Sequence, residues 1–421
     1  MMIDAMLLEA LSSHLHQRPI LWKEPIEEEI WNDLFVLAQR QGIFPMIYET
    51  VFTCPAFESV DPEKKALWKK EAKRQIIGQM KRTEELKSLY QRLNKEKDAP
   101  LIVKGILCRE LYPVPEARIS NDEDFLIPWE RFSIIDQKLQ QLGMSSLLNE
   151  ERVRNAFEVT YQNKRGELII ELHKSLFSKD SDAYGDYNLA FQQIYERSIT
   201  VQIDGILFQT LGYTDHMAYL IAHAGKHFLH SGVGIRQVCD ILLFAKAYED
   251  QISWDEVYET CEALHICSFA AAIFEIGTQY LDLKLIRPYE LEQWKSFVDP
   301  KDLLKDILES GAFGDSSMAR KHSSTITLDA VAEEKKGKKA RFSLIKTLFP
   351  KKSELKEDYA YLQKFSFLLP IAWANRLIRY YKESKKYKGA VGEAKKSLTI
   401  AKKRMELLKK YKIIKSGDTI H

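Results

Sequence analysis

Between Ala117 and Ile127 the chain reads ARISNDEDFLI, which sets Asp122 and Asp124 one residue apart inside an apolar, strand-like run. Side chains alternate faces along a strand, so both aspartates project to one side while Glu123 points to the other. Any fold that houses this segment must give the two carboxylates a shared face. Such a pair suits Mg²⁺, a hard ion held by one or two carboxylates with phosphate and water oxygens completing its shell. Phosphoryl or nucleotidyl transfer is the chemistry this arrangement suggests.

The surrounding sequence alternates in texture. The first hundred residues read as helices, with apolar Ile30, Leu34, Val36 and Leu37 in one segment and a long charged amphipathic pattern from Pro62 to Asn94. At residue 99 a short strand, PLIVKG, is closed by Gly105 and followed by a helical ILCRELY and the turn residues Pro113 and Pro115. The acidic strand comes next, then a helix from Trp129 to Leu142, and the strands AFEVTYQN and ELIIELHKSL. A hairpin with an Asp204-Gly205 turn follows, and helices return from Thr214 to about Ser310. This pattern predicts an α+β fold, a small mixed sheet embedded between helical regions. The expected parts are a helical region over 1–97, an α/β core over 98–210 and a helical domain over 211–310. A flexible linker or loop is expected over 311–339 and a basic helical segment over 340–421.

Charge is unevenly shared. Net charge is +2, yet from Lys335 onward there are about 25 Lys and Arg against about 7 Asp and Glu, which leaves the rest of the chain acidic. The two parts are expected to attract each other, or the tail to meet an anionic partner such as nucleic acid or a membrane surface. Five cysteines with no CxxC pair argue against a disulfide framework. The N-terminus lacks a basic leader, and the longest apolar run, Phe365 to Ala374, falls far short of a membrane span. A cytoplasmic protein without a transmembrane segment is expected.

A second acid strengthens the case for a site. In LIIELH, Glu171 lies between Ile170 and Leu172, so its carboxylate faces opposite to theirs. Pairing of neighbouring strands can bring Glu171 beside Asp122 and Asp124 as a three-carboxylate cluster. Taken together, VKGILCRELYPVPEARISNDEDFLI and IIELHKSLF resemble the uncharacterised bacterial nucleotidyltransferases that share the polymerase-β-type fold. The likeness extends to WNDLFVLAQRQGIFPMIYE, the His-rich segment from Asp215 to His230, GIRQVCDILLF and LLPIAWANRLIRYY.

That resemblance implies roles. Asp122 and Asp124 would bind Mg²⁺, and Glu171 would bridge a metal or accept the proton of the attacking hydroxyl. Gly105 would let the following helix approach the triphosphate of an NTP, and Lys104 and Arg118 would neutralise phosphate. In this chain Lys104-Gly105-Ile106 stands where the wider superfamily has Gly-Ser, and the third acid is Glu where many relatives have Asp. The implied activity is Mg²⁺-dependent transfer of NMP from an NTP to an unidentified acceptor. The alternative is a disabled fold of this type that uses its basic C-terminal segment for an anionic partner. His216, His223, His227 and His230 recur at spacings that place most of them on one helical face. A His/Asp metal site is one reading of them, interhelical packing another. A third makes His173, His223, His227 and Arg236 the border of an acceptor pocket.

Overall fold

The computed structural model describes residues 2–94, 99–146, 148, 153, 155–230, 232–295, 298–312, 318–337, 359, 361–375, 378 and 390–414. The fold is α+β, with a seven-stranded mixed sheet set among helices. Its strands are β1 (Leu101–Ile102), β2 (Glu123–Leu126), β3 (Met144–Ser146), β4 (Glu158–Asn163), β5 (Ile169–His173), β6 (Ile199–Ile203) and β7 (Ile206–Thr210). They lie in the order β3-β4-β5-β2-β1-β7-β6. β2 and β5 run parallel at the centre, and β1 and β4 flank them antiparallel. The expected hairpin is β6–β7, and its turn residues Asp204 and Gly205 both take positive φ, at 48° and 78°. Two such residues in a two-residue loop match the twist of the strands they join.

Two helical layers divide the faces of the sheet. On the rear, Phe125, Val159, Tyr161, Ile170 and Leu172 share a core with Leu86, Leu89, Tyr90 and Leu93 of the Pro62–Asn94 helix. Tyr90 fastens that helix by donating to the Pro100 carbonyl at 2.7 Å and accepting from the Gln209 amide at 2.9 Å. On the front, Leu101, Val103 and Leu126 join the larger core with Met217, Leu220 and Ile221 of the helix Tyr213–His230, here called the histidine helix. The N-terminal helices enter this larger core too. Met2–Leu15 packs on Cys267–Tyr280, and Ser12 Oγ donates to the Leu281 carbonyl at 3.1 Å. The helices before and after the sheet thus share one apolar interior, which the helical periodicity of each gives no means of foreseeing.

The C-terminal region differs from expectation. Within the stretch read as a linker, Met318–Lys335 is helical and packs on the histidine helix and on the helix Ala390–Lys410. Its serines and lysines suggested a loop, but Ser323 and Thr327 are buried and hydrogen-bonded, with Thr327 Oγ1 donating to the Leu229 carbonyl at 2.9 Å. Arg404 donates to the neighbouring Phe228 carbonyl. Both therefore occupy carbonyls at the end of the histidine helix that have no partner inside it. The residues 338–358 and 415–421, which carry part of the basic segment, lie outside the described residues.

The charge asymmetry is expressed as ion pairs. Lys335 meets Asp186 at 2.6 Å, Lys336 meets Asp182 at 2.6 Å, Lys403 meets Glu309 at 2.8 Å and Lys410 meets Asp302 at 2.5 Å. These exposed contacts contribute little each. The buried one matters more: Asp306 pairs with Arg320 at 2.7 Å and with Arg404 at 3.4 Å. Replacing Asp306 by Ala removes the buried carboxylate that Arg320 and Arg404 share, and a loss of about 3–5 kcal/mol in urea unfolding is expected. An unchanged unfolding midpoint would show that both guanidiniums find other partners.

Candidate active site

The parallel pairing of β2 and β5 sets Asp124 directly beside Glu171, and Leu126 beside His173. Because residues two apart share a face, Asp124, Glu171 and His173 converge in front of the sheet. Ligand atoms from these three side chains all lie within 4.8 Å of one another. β4 adds Glu158 opposite His173 and on the same face. Asp122 sits just before β2, partly exposed. It is outside this trio but close enough for its charge to act on Glu171 and Lys104.

Asp124 is the centre of the arrangement and only 3% exposed. Burial alone would raise its pKa, but the Lys104 ammonium at 3.0 Å from Oδ2 and the His173 Nε2 at 3.1 Å from Oδ1 hold it well below the usual carboxylate range. Lys104 is in turn kept protonated by Asp124 despite its own burial. Glu171 has the opposite fate. Burial and the charges of Glu158, Asp122 and Asp124 push its pKa up to about 8. Two carboxylates on neighbouring strands are therefore separated in character in the metal-free protein, one firmly ionised and one holding its proton near neutrality.

The histidine helix closes over this face. Lys104 Nζ lies 3.1 Å from His223 Nε2, and His227 Nε2 lies 2.9 Å from the same atom. An ammonium has no lone pair, so His223 Nε2 must accept, and its ring proton then sits on Nδ1, 3.3 Å from the Tyr219 hydroxyl. His227 must in consequence carry its proton on Nε2. Burial, reinforced by Lys104 at His223 and by Lys226 at His227, keeps both rings neutral, with pKa values well below the ordinary one. Lys226 lies between them in sequence, and burial and Lys104 lower its pKa. It forms no hydrogen bond or ion pair with a described residue, while its charge acts on Glu158, Asp124 and Glu171.

Other expected site residues are otherwise engaged. Arg118 closes its guanidinium fork on Asp240 of the helix Ile235–Ala247, with Nε–Oδ1 at 2.8 Å and Nη2–Oδ2 at 2.5 Å. Tyr112 donates to the same carboxylate at 2.8 Å. Arg236 donates to the Ile119 carbonyl beside this pair, and the charge of Asp122 reaches it. Three of the four residues expected at an acceptor pocket thus gather near Asp124, His173 among the acids and His223 with His227 behind Lys104. Gly105 has φ +60° and leads into the short helix Ile106–Arg109. The Ile106 amide there donates to Glu123 Oε2 at 2.8 Å, so this chain's own carboxylate takes the N–H expected to face phosphate.

Glu158, Lys226 and Glu123 were missed in the sequence. Glu158 had a signal, since it alternates with Phe157 and Val159 in AFEVTYQN, but only the β4–β5 register reveals what it faces. The donor set fits a divalent cation. Asp124 and Glu171 offer carboxylate oxygens, and His173 offers an imidazole nitrogen. His173 Nδ1 is buried without a hydrogen-bond partner, 3.5 Å from Glu158 Oε2. A cation at Nε2 would favour the tautomer with its proton on Nδ1, facing that carboxylate. Imidazole in the set widens the choice from Mg²⁺ towards Mn²⁺ and Zn²⁺.

Fold and site together describe a sheet whose front face gathers an Asp, Glu and His group that could hold a divalent cation, with the Lys104 ammonium beside it. A family model for an uncharacterised nucleotidyltransferase matches residues 27–282, more than half of the chain, and the chain belongs to that family. No curated protein and no solved structure matches it.

Glu171 sets a pH dependence. Its folded-state pKa, about 8, exceeds the ordinary 4.5. The folded metal-free protein therefore holds this proton where the unfolded chain has lost it, and the stability it contributes declines as pH rises from about 4.5 to about 8. Chelator-treated Glu171→Gln protein is expected to show a flatter fall of Tm over pH 5–8 than the wild type. Equal slopes would show that Glu171 titrates as an ordinary carboxylate.

Proposed function

We propose that the protein is a divalent-metal-dependent nucleotidyltransferase, with Mg²⁺ as its ion, that moves NMP from an NTP to an acceptor hydroxyl or phosphate and releases pyrophosphate. The observation that carries this reading is the convergence of Asp124, Glu171 and His173 on one sheet face in a chain of the nucleotidyltransferase family. Asp124, Glu171 and Asp122 would hold the metal, with His173 as ligand or as the partner that orients Asp124. When bound, the ion offsets charge on the α-phosphate and on the departing pyrophosphate.

The chain's own groups do the rest. The acceptor oxygen forms its bond to the α-phosphorus as the bond to pyrophosphate breaks, and the acceptor's proton passes to Glu171, the carboxylate beside Asp124 on β5, which a bound cation would keep ionised. Lys104 and Lys226 place positive charge above the acids, where the triphosphate would lie, and so take over from the serine that this chain lacks. His223 accepts from Lys104 and aims its ammonium at the site. Most of the rate gain comes from positioning and charge neutralisation.

The engagement of the Ile106 amide by Glu123 favours a second reading, in which the fold no longer binds nucleotide and the basic C-terminal segment meets an anionic partner. Titration with each NTP separates the two. Metal-dependent NTP binding is expected, lost in Asp124→Asn, with a fall in turnover of about a hundredfold or more once an acceptor is supplied. A folded wild type that binds no NTP, with or without Mg²⁺ or Mn²⁺, would falsify the enzymatic reading and leave the second.

A further inference from the structure

We infer that Glu123, the residue between the two aspartates, is a positioning residue that locks the Lys104-Gly105 turn to β2 from behind the sheet. The inference rests on the metal-dependent reading above. Glu123 is 3% exposed and faces away from Asp124, towards the rear. Its Oε2 accepts the Ile106 amide at 2.8 Å, and its Oε1 accepts both Arg109 Nη1, at 3.1 Å, and Ser120 Oγ, at 3.3 Å. Arg109 Nη2 reaches Oε1 and, at 3.3 Å, Ser120 Oγ. Ser120 is held in turn through its amide, which donates to Gln79 Oε1 of the long rear helix at 2.9 Å.

This carboxylate does two things at once. It neutralises the buried Arg109, and it satisfies the first amide of the helix that begins straight after Gly105. The fit at the turn is close. A Cβ on Gly105 would stand 1.8 Å from Glu123 Oε2, so the glycine is required by the carboxylate as well as by its φ of +60°. Lys104 precedes that glycine, and Asp124 follows Glu123. One side chain therefore fixes the spacing between the two residues whose ion pair, at 3.0 Å, forms the front of the site. Reach should matter more than charge. Aspartate in this position keeps the charge for Arg109 but ends a methylene short of the Ile106 amide.

The test uses the full-length protein with Mn²⁺ as probe. Amide hydrogen exchange is followed by mass spectrometry, and Mn²⁺ affinity by electron paramagnetic resonance. Glu123→Asp is expected to stay folded, to exchange at least about tenfold faster across residues 104–109, and to leave residues 169–173 of β5 unchanged. Its Mn²⁺ affinity is expected to fall by at least about tenfold, although no metal-binding atom has been altered. Ser120→Ala, a milder change to the same network, should move both readouts in the same direction by less, and decides the matter if Glu123→Asp does not fold. A turn that exchanges at the wild-type rate in the variants overturns the inference. So does a loosened turn with undiminished Mn²⁺ affinity. A wild type that binds no Mn²⁺ removes the premise by overturning the metal-dependent reading, a result distinct from the other two.

Discussion

Asp124 is ionised in a place where an isolated carboxylate could not remain so, and much of the architecture follows from that. Moving a charge out of water into the interior costs several kcal/mol unless partners replace the lost hydration. Here Lys104 holds one oxygen and His173 the other. Lys104, itself half-buried, gains a second acceptor, which the histidine helix supplies through His223. The ion pair is satisfied only when the sheet and the helical layer are packed together, so the electrostatics of the site and the docking of the layers are one problem. The Arg118–Asp240 pair secures the same docking from the loop that leads into β2, tying it to the next helix.

Period-two reasoning made the front of the site legible. Asp124 and Glu171 share a face because side chains alternate, and any parallel register that paired those strands in phase would bring them together. The Asp-Gly turn and the helix boundaries were equally readable, because each rests on local chemistry. What could not be read were partnerships across the chain. Arg118 lies 122 residues from Asp240, and nothing near it distinguishes an arginine awaiting phosphate from one already paired. Glu123 could be placed only on the face opposite the aspartates, and nothing in the sequence showed that the rear of β2 is covered or that the carboxylate meets Arg109. Residues 311–339 looked like a linker because serine and lysine are common in loops. The burial of Thr327 there depends on a backbone carbonyl of the histidine helix, far away in sequence, that needs a donor.

That last contact bears on the site as well as on the fold. The histidine helix presents His223, Lys226 and His227 to the acids in its second half, close to where it ends at His230. Its terminal carbonyls are occupied by Thr327 and Arg404, and Arg404 is anchored on Asp306. A helix end without such partners frays by a turn or so, and here one turn back from His230 is the stretch that carries Lys226 and His227. The basic C-terminal region, whatever else it meets, therefore does structural work for the centre. It holds still the turn that carries Lys226 and His227, and His227 in turn meets His223, the acceptor of the Lys104 ammonium. The family match ends at residue 282, short of both Thr327 and Arg404. The geometry of the site thus depends on contacts made by a part of this chain that lies beyond the matched region.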